Sequence, residues 1–198
     1  MSPEDGVPIG ARSAKIVVAG GFGVGKTTFV GAISEIPPVN TESWMTAASE
    51  SVDHLDPGID KTTTTVAMDF GRLTIDPELV LYLFGTPGQA RFWTMWDDLC
   101  RGAVGAVVLV DTRRLDASFP AINYLELDAR IPFVVAVNLF EGVLSHPLED
   151  VRAALGLDVG VPVITVDARD RGSVAQALAQ VVAHAISRGP SALQPAGS

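Results

Sequence analysis

The chain is 198 residues long with 47% hydrophobic side chains, a size and composition that suit one domain around one core. Its 23 acidic and 14 basic residues leave a net charge of −9. That excess argues against nucleic acid or an anionic lipid surface as a direct partner, because phosphate groups attract basic faces.

The first dozen residues are polar and include Pro3 and Pro8, so residues 1–13 are expected to be a disordered end and not a secretory signal. Ser2 stands where myristoylation needs glycine. The apolar run Lys15-Ile-Val-Val-Ala19 follows, with a strand expected at Ile16–Ala19. Next comes Gly20-Gly-Phe-Gly-Val-Gly-Lys-Thr27, a G-x-x-x-x-G-K-[ST] phosphate loop placed between that strand and a helix expected over Lys26–Ile36. Glycines let successive backbone N–H groups curl around phosphates, and the helix N-terminus adds its positive end. Candidate contacts are Gly21, Phe22, Gly23, Val24, Gly25 and Thr28, with Lys26 on the β- and γ-phosphates and the Thr27 hydroxyl on Mg²⁺.

Residues 35–61 contain Pro37-Pro38, Pro57-Gly58 and several acids without clear periodicity. A loop of that length inside a domain points to a functional segment, expected to be mobile and ordered by nucleotide. Strands are expected at Thr63–Phe70 and Leu79–Phe84, joined through Gly71 and Asp76-Pro77 with no room for a helix, hence an antiparallel hairpin at the sheet edge. A helix over Arg91–Arg101 carries Phe92, Trp96 and Leu99 on one stripe, with Trp93 and Met95 off it. Core packing accounts for a stripe, and Trp93 is the ring expected at the surface. Cys100 is the one cysteine, so no internal disulfide can form and a reducing cytoplasm is the simplest setting. It reads as a core filler.

Further strands are expected at Ala106–Asp111, Phe133–Asn138 and Val161–Val166, and helices at Pro120–Asp128, Pro147–Leu155 and Ser173–Ser187, the last capped by Ser173. Short, continuously apolar strands alternating with helices indicate an α/β fold: about six strands, mostly parallel, one antiparallel edge strand, helices on both faces. The domain is expected over residues 14–187, with a disordered tail over 188–198. No apolar run is long enough to span a bilayer, so any membrane contact is expected to come through a partner.

Five segments fall in one order along the chain: Gly20–Thr28, Thr65-Val-Ala-Met-Asp-Phe70, Gly85-Thr-Pro-Gly-Gln89, Asn138-Leu-Phe-Glu141 and Val166-Asp-Ala-Arg169. In this the chain resembles bacterial Ras-like small GTPases of the MglA type, and more narrowly the GTPase of actinobacterial conservon operons. The resemblance spans roughly residues 14 to 187 and implies a P-loop G domain that binds GTP or GDP with Mg²⁺. Thr65 would be the switch threonine completing Mg²⁺ coordination with Thr27, although four consecutive threonines leave its register open. Gly88 would sense the γ-phosphate and Gln89 orient the attacking water, unless Gln89 is only a solvated residue at a helix start. Asn138 and Glu141 would read guanine, with Asp167 and the Ala168 N–H beside its O6; otherwise Asn138 ends a strand and Glu141 is solvated. Glutamate in place of aspartate moves the carboxylate out by about 1.5 Å, one C–C bond, and Leu139 removes a cation. The resemblance also implies a roadblock/LC7-type dimer and a histidine-kinase-like sensor complex as partners.

Two departures bear on turnover. Phe22 puts a phenyl ring where relatives carry glycine, crowding the γ-phosphate. Gly85 stands where Ras-like proteins carry an aspartate that holds Mg²⁺ through water. Intrinsic hydrolysis by Ras-type proteins is already slow, on the order of 10⁻⁴ s⁻¹. Three readings follow: a slow GTPase switch, a pseudo-GTPase scaffold binding GTP or ATP with little turnover, and a small-molecule kinase. The kinase would need a lid arginine, for which Arg113-Arg114 is the sole pair, without a lid-length segment.

Overall fold

Strands whose residues are apolar on both sides need cover on both sides, and the computed structural model supplies it. The structure describes residues 11–37, 68–87 and 94–189. In chain order these form β1 (Arg12–Gly20), α1 (Lys26–Ile33), β2 (Asp69–Asp76), β3 (Leu79–Gly85), α2 (Thr94–Cys100), β4 (Gly105–Val110), α3 (Phe119–Asn123), β5 (Phe133–Asn138), α4 (Leu148–Leu155), β6 (Val163–Val166) and α5 (Arg171–Ser187). Single turns of 3₁₀ helix occupy Leu115–Ser118 and Phe140–Gly142, and a π-helical stretch, Tyr124–Ala129, extends α3.

The sheet order is β2-β3-β1-β4-β5-β6. Every adjacent pair is parallel except β2–β3 at the edge. This is the six-stranded, mostly parallel sheet expected from the sequence. Alternation along β1 separates the two cores. Ile16 and Val18 pack with Phe29, Val30 and Ile33 of α1 and with Leu178 and Val181 of α5. Val17 and Ala19 pack on the other face with Trp96, Ile122, Leu125 and Val151. Fully burying a Val, Leu, Ile or Phe side chain contributes roughly 1.5–3 kcal/mol, so β1 is held rigidly between two apolar layers. The chain runs from β1 to neighbours on opposite sides, β3 and β4. A crevice therefore opens at its C-terminal end, where open α/β sheets bind ligands.

Three local expectations change. The edge strand runs through Gly71 instead of ending before it: β2 spans Asp69–Asp76, and only Pro77 and Glu78 form the turn. Gly71 lies under α1, where a Cβ would come within 2.7 Å of Val30 Cγ1, so this glycine permits close helix–strand packing and does not break the strand. The cap of α5 is Asp170, whose carboxylate accepts from the Ser173 N–H at 2.7 Å. Ser173, the expected cap, uses its hydroxyl to accept the Asp167 N–H at 3.0 Å. At the N-terminus, β1 begins at Arg12, inside the segment expected to be disordered, because Arg12 N–H donates to Glu78 O at 2.7 Å. The remaining expectations for the ends fall on residues 1–10 and 190–198, outside the described residues.

Candidate functional site

The phosphate loop leaves β1 at Gly20 and enters α1 at Lys26. Gly25, the residue before α1, has φ 104°, and no side chain caps the helix. An L-residue strongly disfavours that conformation, and a Cβ there would lie 2.7 Å from Asn138 Nδ2. The first N–H groups of α1 thus face the crevice without a side-chain competitor, the arrangement that attracts anions. Lys26 is buried and donates from Nζ to the carbonyls of Gly20 and Gly21, at 2.9 and 2.7 Å. Burial lowers its pKa to about 8, partly opposed by the nearby Asp69 charge. Thr27 and Thr28 are exposed at the start of α1, and Phe22 projects outward with 72% of its surface accessible.

The Thr27 hydroxyl donates to Asp69 Oδ2 at 2.9 Å. Asp69 opens β2 and stands directly across the hairpin from Gly85. In the sequence Asp69 stands within the Thr65–Phe70 segment with no role of its own. On the other side of the loop, Arg114 donates to Phe22 O at 3.0 Å and lies 3.8 Å from Asp111, which is buried at the end of β4. Arg114 therefore ties the loop to β4, a role its place in a double-arginine motif did not suggest.

Asn138 closes β5 and joins two loops. Its Nδ2 donates to Val24 O at 2.9 Å, and its Oδ1 accepts the Ala168 N–H at 3.1 Å. The Ala168 N–H, expected to be a free donor for a base, is thus engaged by Asn138 in this arrangement. Glu141 is exposed and holds φ 63°, ψ 16° in the short turn after β5, a left-handed conformation uncommon outside glycine and costly enough to mark a site. Flanking it are two Asp-x-Arg pairs of like geometry. Asp111 accepts Arg113 Nε and Nη2 at 2.9 and 2.8 Å, and Asp167 accepts Arg169 Nε and Nη2 at 2.9 Å each. The Arg169 bonds hold the Asp167 carboxyl down at about 2. The Arg113 guanidinium stacks 4.0 Å over the Phe140 ring. Together Asp111, Arg113, Asn138, Phe140 and Glu141 line a cleft of about 290 Å³ beside the phosphate loop.

The model of a family described as "conserved hypothetical ATP binding protein" matches residues 18–188, nearly the whole of the described fold. The chain belongs to that family. Among solved structures it is similar to the G domain of the T. maritima FeoB iron transporter, with TM-score 0.59 and 14% identity over 88% of this chain and 99% of that one. At that identity the likeness establishes the fold, a P-loop G domain. No curated protein matches the chain.

Several candidate residues of this family member lie outside the described residues: Thr65, Gly88 and Gln89, with Trp93 and most of the 35–61 loop. Thr86, the second residue of the Gly85–Gln89 segment, donates its N–H to Val18 O of β1 at 2.9 Å. Beyond it, Trp96 packs edge-on against Tyr124, whose hydroxyl donates to Asp97. Cys100 is buried beneath, its thiol pushed up to about 12 chiefly by burial. No helix among the described residues is long and apolar enough to cross a membrane. A cleft of about 640 Å³ at the opposite, N-terminal end of β5, lined by Arg130, Phe133, His184 and Arg188, is remote from the phosphate loop.

Proposed function

We propose that the protein is a guanine-nucleotide switch that binds GTP and GDP with Mg²⁺ and hydrolyses GTP slowly. The observation that carries the reading is the pair of hydrogen bonds made by the Asn138 side chain, which couples the phosphate loop at Val24 to the base-side loop at Ala168. A side chain bridging those two loops makes phosphate and base binding one event. Glu141 offers a carboxylate able to accept both the N1–H and the 2-amino group of guanine, a pair adenine lacks. Arg113 brings a cation to the neighbourhood where Leu139 removed one.

Mg²⁺ prefers hard oxygen donors and keeps part of its water shell. The Thr27 hydroxyl and the carboxylate beside it are such donors, 2.9 Å apart at the phosphate loop, so the residues present suit the ion. When bound, Mg²⁺ neutralises charge on the β- and γ-phosphates. Lys26 would hold the same phosphates, Gly88 and Thr65 would sense the γ-phosphate, and Gln89 would orient water. Phe22, exposed on the loop, narrows access for an activating protein and favours slow resetting. The MglA-type resemblance extends the proposal to a roadblock/LC7-type dimer as partner, a histidine-kinase-like sensor complex and a cytoplasmic setting.

The second reading, a scaffold with little turnover, is favoured by Phe22, and the family description makes ATP the rival nucleotide. Titration with fluorescent GDP, GTP and ATP analogues separates these. Tighter guanine binding and measurable phosphate release that falls in Gln89→Ala support the switch. Preference for ATP, or wild-type hydrolysis in Gln89→Ala, refutes the corresponding part.

A further inference from the structure

We propose that Asp69, on the edge strand β2, is the carboxylate through which this protein holds the nucleotide's divalent cation, in place of a side chain at position 85 of β3. The inference rests on the nucleotide reading above and assigns a residue to it. Directly opposed residues of an antiparallel pair project to the same face, and Asp69 and Gly85 are such a pair. A Cβ built on Gly85 would meet Asp69 Cβ at 2.8 Å, Oδ2 at 2.9 Å and Cγ at 3.3 Å. The Asp69 side chain therefore fills the space that a side chain at 85 would enter. Two positions share one seat, and glycine at 85 is the condition for aspartate at 69.

The seat is where a cation needs an anion. Asp69 Oδ2 accepts from Thr27 Oγ1 at 2.9 Å, and Thr27 follows the phosphate-loop lysine. A hydroxyl has one proton and two lone pairs. Giving its proton to Asp69 turns the Thr27 lone pairs away from the carboxylate, free for a metal ion. Asp69 then compensates the positive charge directly or through a metal-bound water. No group of three or more acidic, His or Cys side chains capable of holding a metal occurs among the described residues. Two protein oxygens plus phosphates and water match the sparse ligation Mg²⁺ favours. The absence of a side chain at Gly85 is consequently no sign of a lost metal site.

The test is the release rate of mant-GDP from the full chain, in MgCl₂ and in EDTA, for wild type, Asp69→Ala, Asp69→Asn and the exchange Asp69→Gly/Gly85→Asp. Wild type should hold mant-GDP more tightly in Mg²⁺. Asp69→Asn, which keeps the shape and an acceptor for Thr27, should lose about 10–100-fold of the Mg²⁺ effect, the range seen when a carboxylate supporting a metal site is removed. Asp69→Ala should lose at least as much, with binding in EDTA little changed. The exchange, which returns the carboxylate from the facing strand, should recover much of the effect. Full Mg²⁺ dependence in Asp69→Asn and Asp69→Ala would overturn the proposal, as would mant-GDP binding by wild type that ignores Mg²⁺; the latter leaves nucleotide binding itself intact. A wild type that binds no mant-GDP at all sinks the functional reading and this inference with it.

Discussion

The two ends of the crevice are built from different materials. At the phosphate end the main chain does most of the work: Gly25 turns at φ 104°, the α1 N–H groups are uncapped, and Lys26 is pinned by the carbonyls of Gly20 and Gly21. At the base end side chains do it: Asp111 with Arg113, Asp167 with Arg169, and Glu141 in a left-handed turn between them. Asn138 belongs to both. Backbone geometry depends on a few glycines at fixed spacing, so the first end tolerates little change. A largely exposed pair such as Asp167 with Arg169 can be exchanged at small cost in stability, so the second end is where specificity can drift without unfolding the protein.

Substitutions graded by size test that division. The largest effect is expected from Lys26→Ala, which removes the buried cation of the phosphate loop. Loss of one partner of a buried charge interaction typically costs about 2–5 kcal/mol, so equilibrium titration should show nucleotide affinity reduced by about 30-fold or more for guanine and adenine alike. Asn138→Ala comes next. It leaves Val24 O and the Ala168 N–H without their partner, at about 1–3 kcal/mol per buried unsatisfied group, and should lower the melting temperature while eroding discrimination between bases. A change confined to stability, with selectivity intact, would break the idea that Asn138 joins the two ends.

Arg169→Ala should act on one end only. Free of its guanidinium, Asp167 should titrate well above its native value of about 2, seen by carboxyl NMR. The sign follows from linkage: a carboxyl depressed in the folded state stabilises the fold above its unfolded pKa and loses that contribution as pH falls through the folded value. Wild type should therefore keep this contribution well into acid, whereas the variant lacks it, and phosphate affinity should stay unchanged. The smallest effect is expected at Cys100, remote from both ends. With its thiol raised to about 12 by burial, native protein should resist thiol reagents at pH 8 and react fully once unfolded in guanidinium chloride.

The same contrast explains what could be read without a structure. Continuous apolar runs revealed β1, β4 and β5, because a strand covered on both faces has no polar positions to obscure it. The phosphate loop was legible because its chemistry is encoded in neighbouring residues. Asp69 was not, because its meaning lies in a partner across a hairpin. Taking Gly71 as the strand end hid the register. Counting back from a two-residue Pro77–Glu78 turn puts Asp69 opposite Thr86, and the bulge between Thr74 and Asp76 moves it to Gly85. Likewise Arg114 and Ser173 act on residues that only folding brings near, Phe22 and Asp167.

The central claim is that this crevice selects guanine nucleotides in a Mg²⁺-dependent manner. Competition of unlabelled GDP, GTP, ADP and ATP against bound mant-GDP in MgCl₂ tests it most directly. The account predicts displacement by GDP and GTP at concentrations at least about tenfold below those needed for ADP and ATP, a margin of roughly 1.4 kcal/mol. Equal or better displacement by the adenine nucleotides would contradict it.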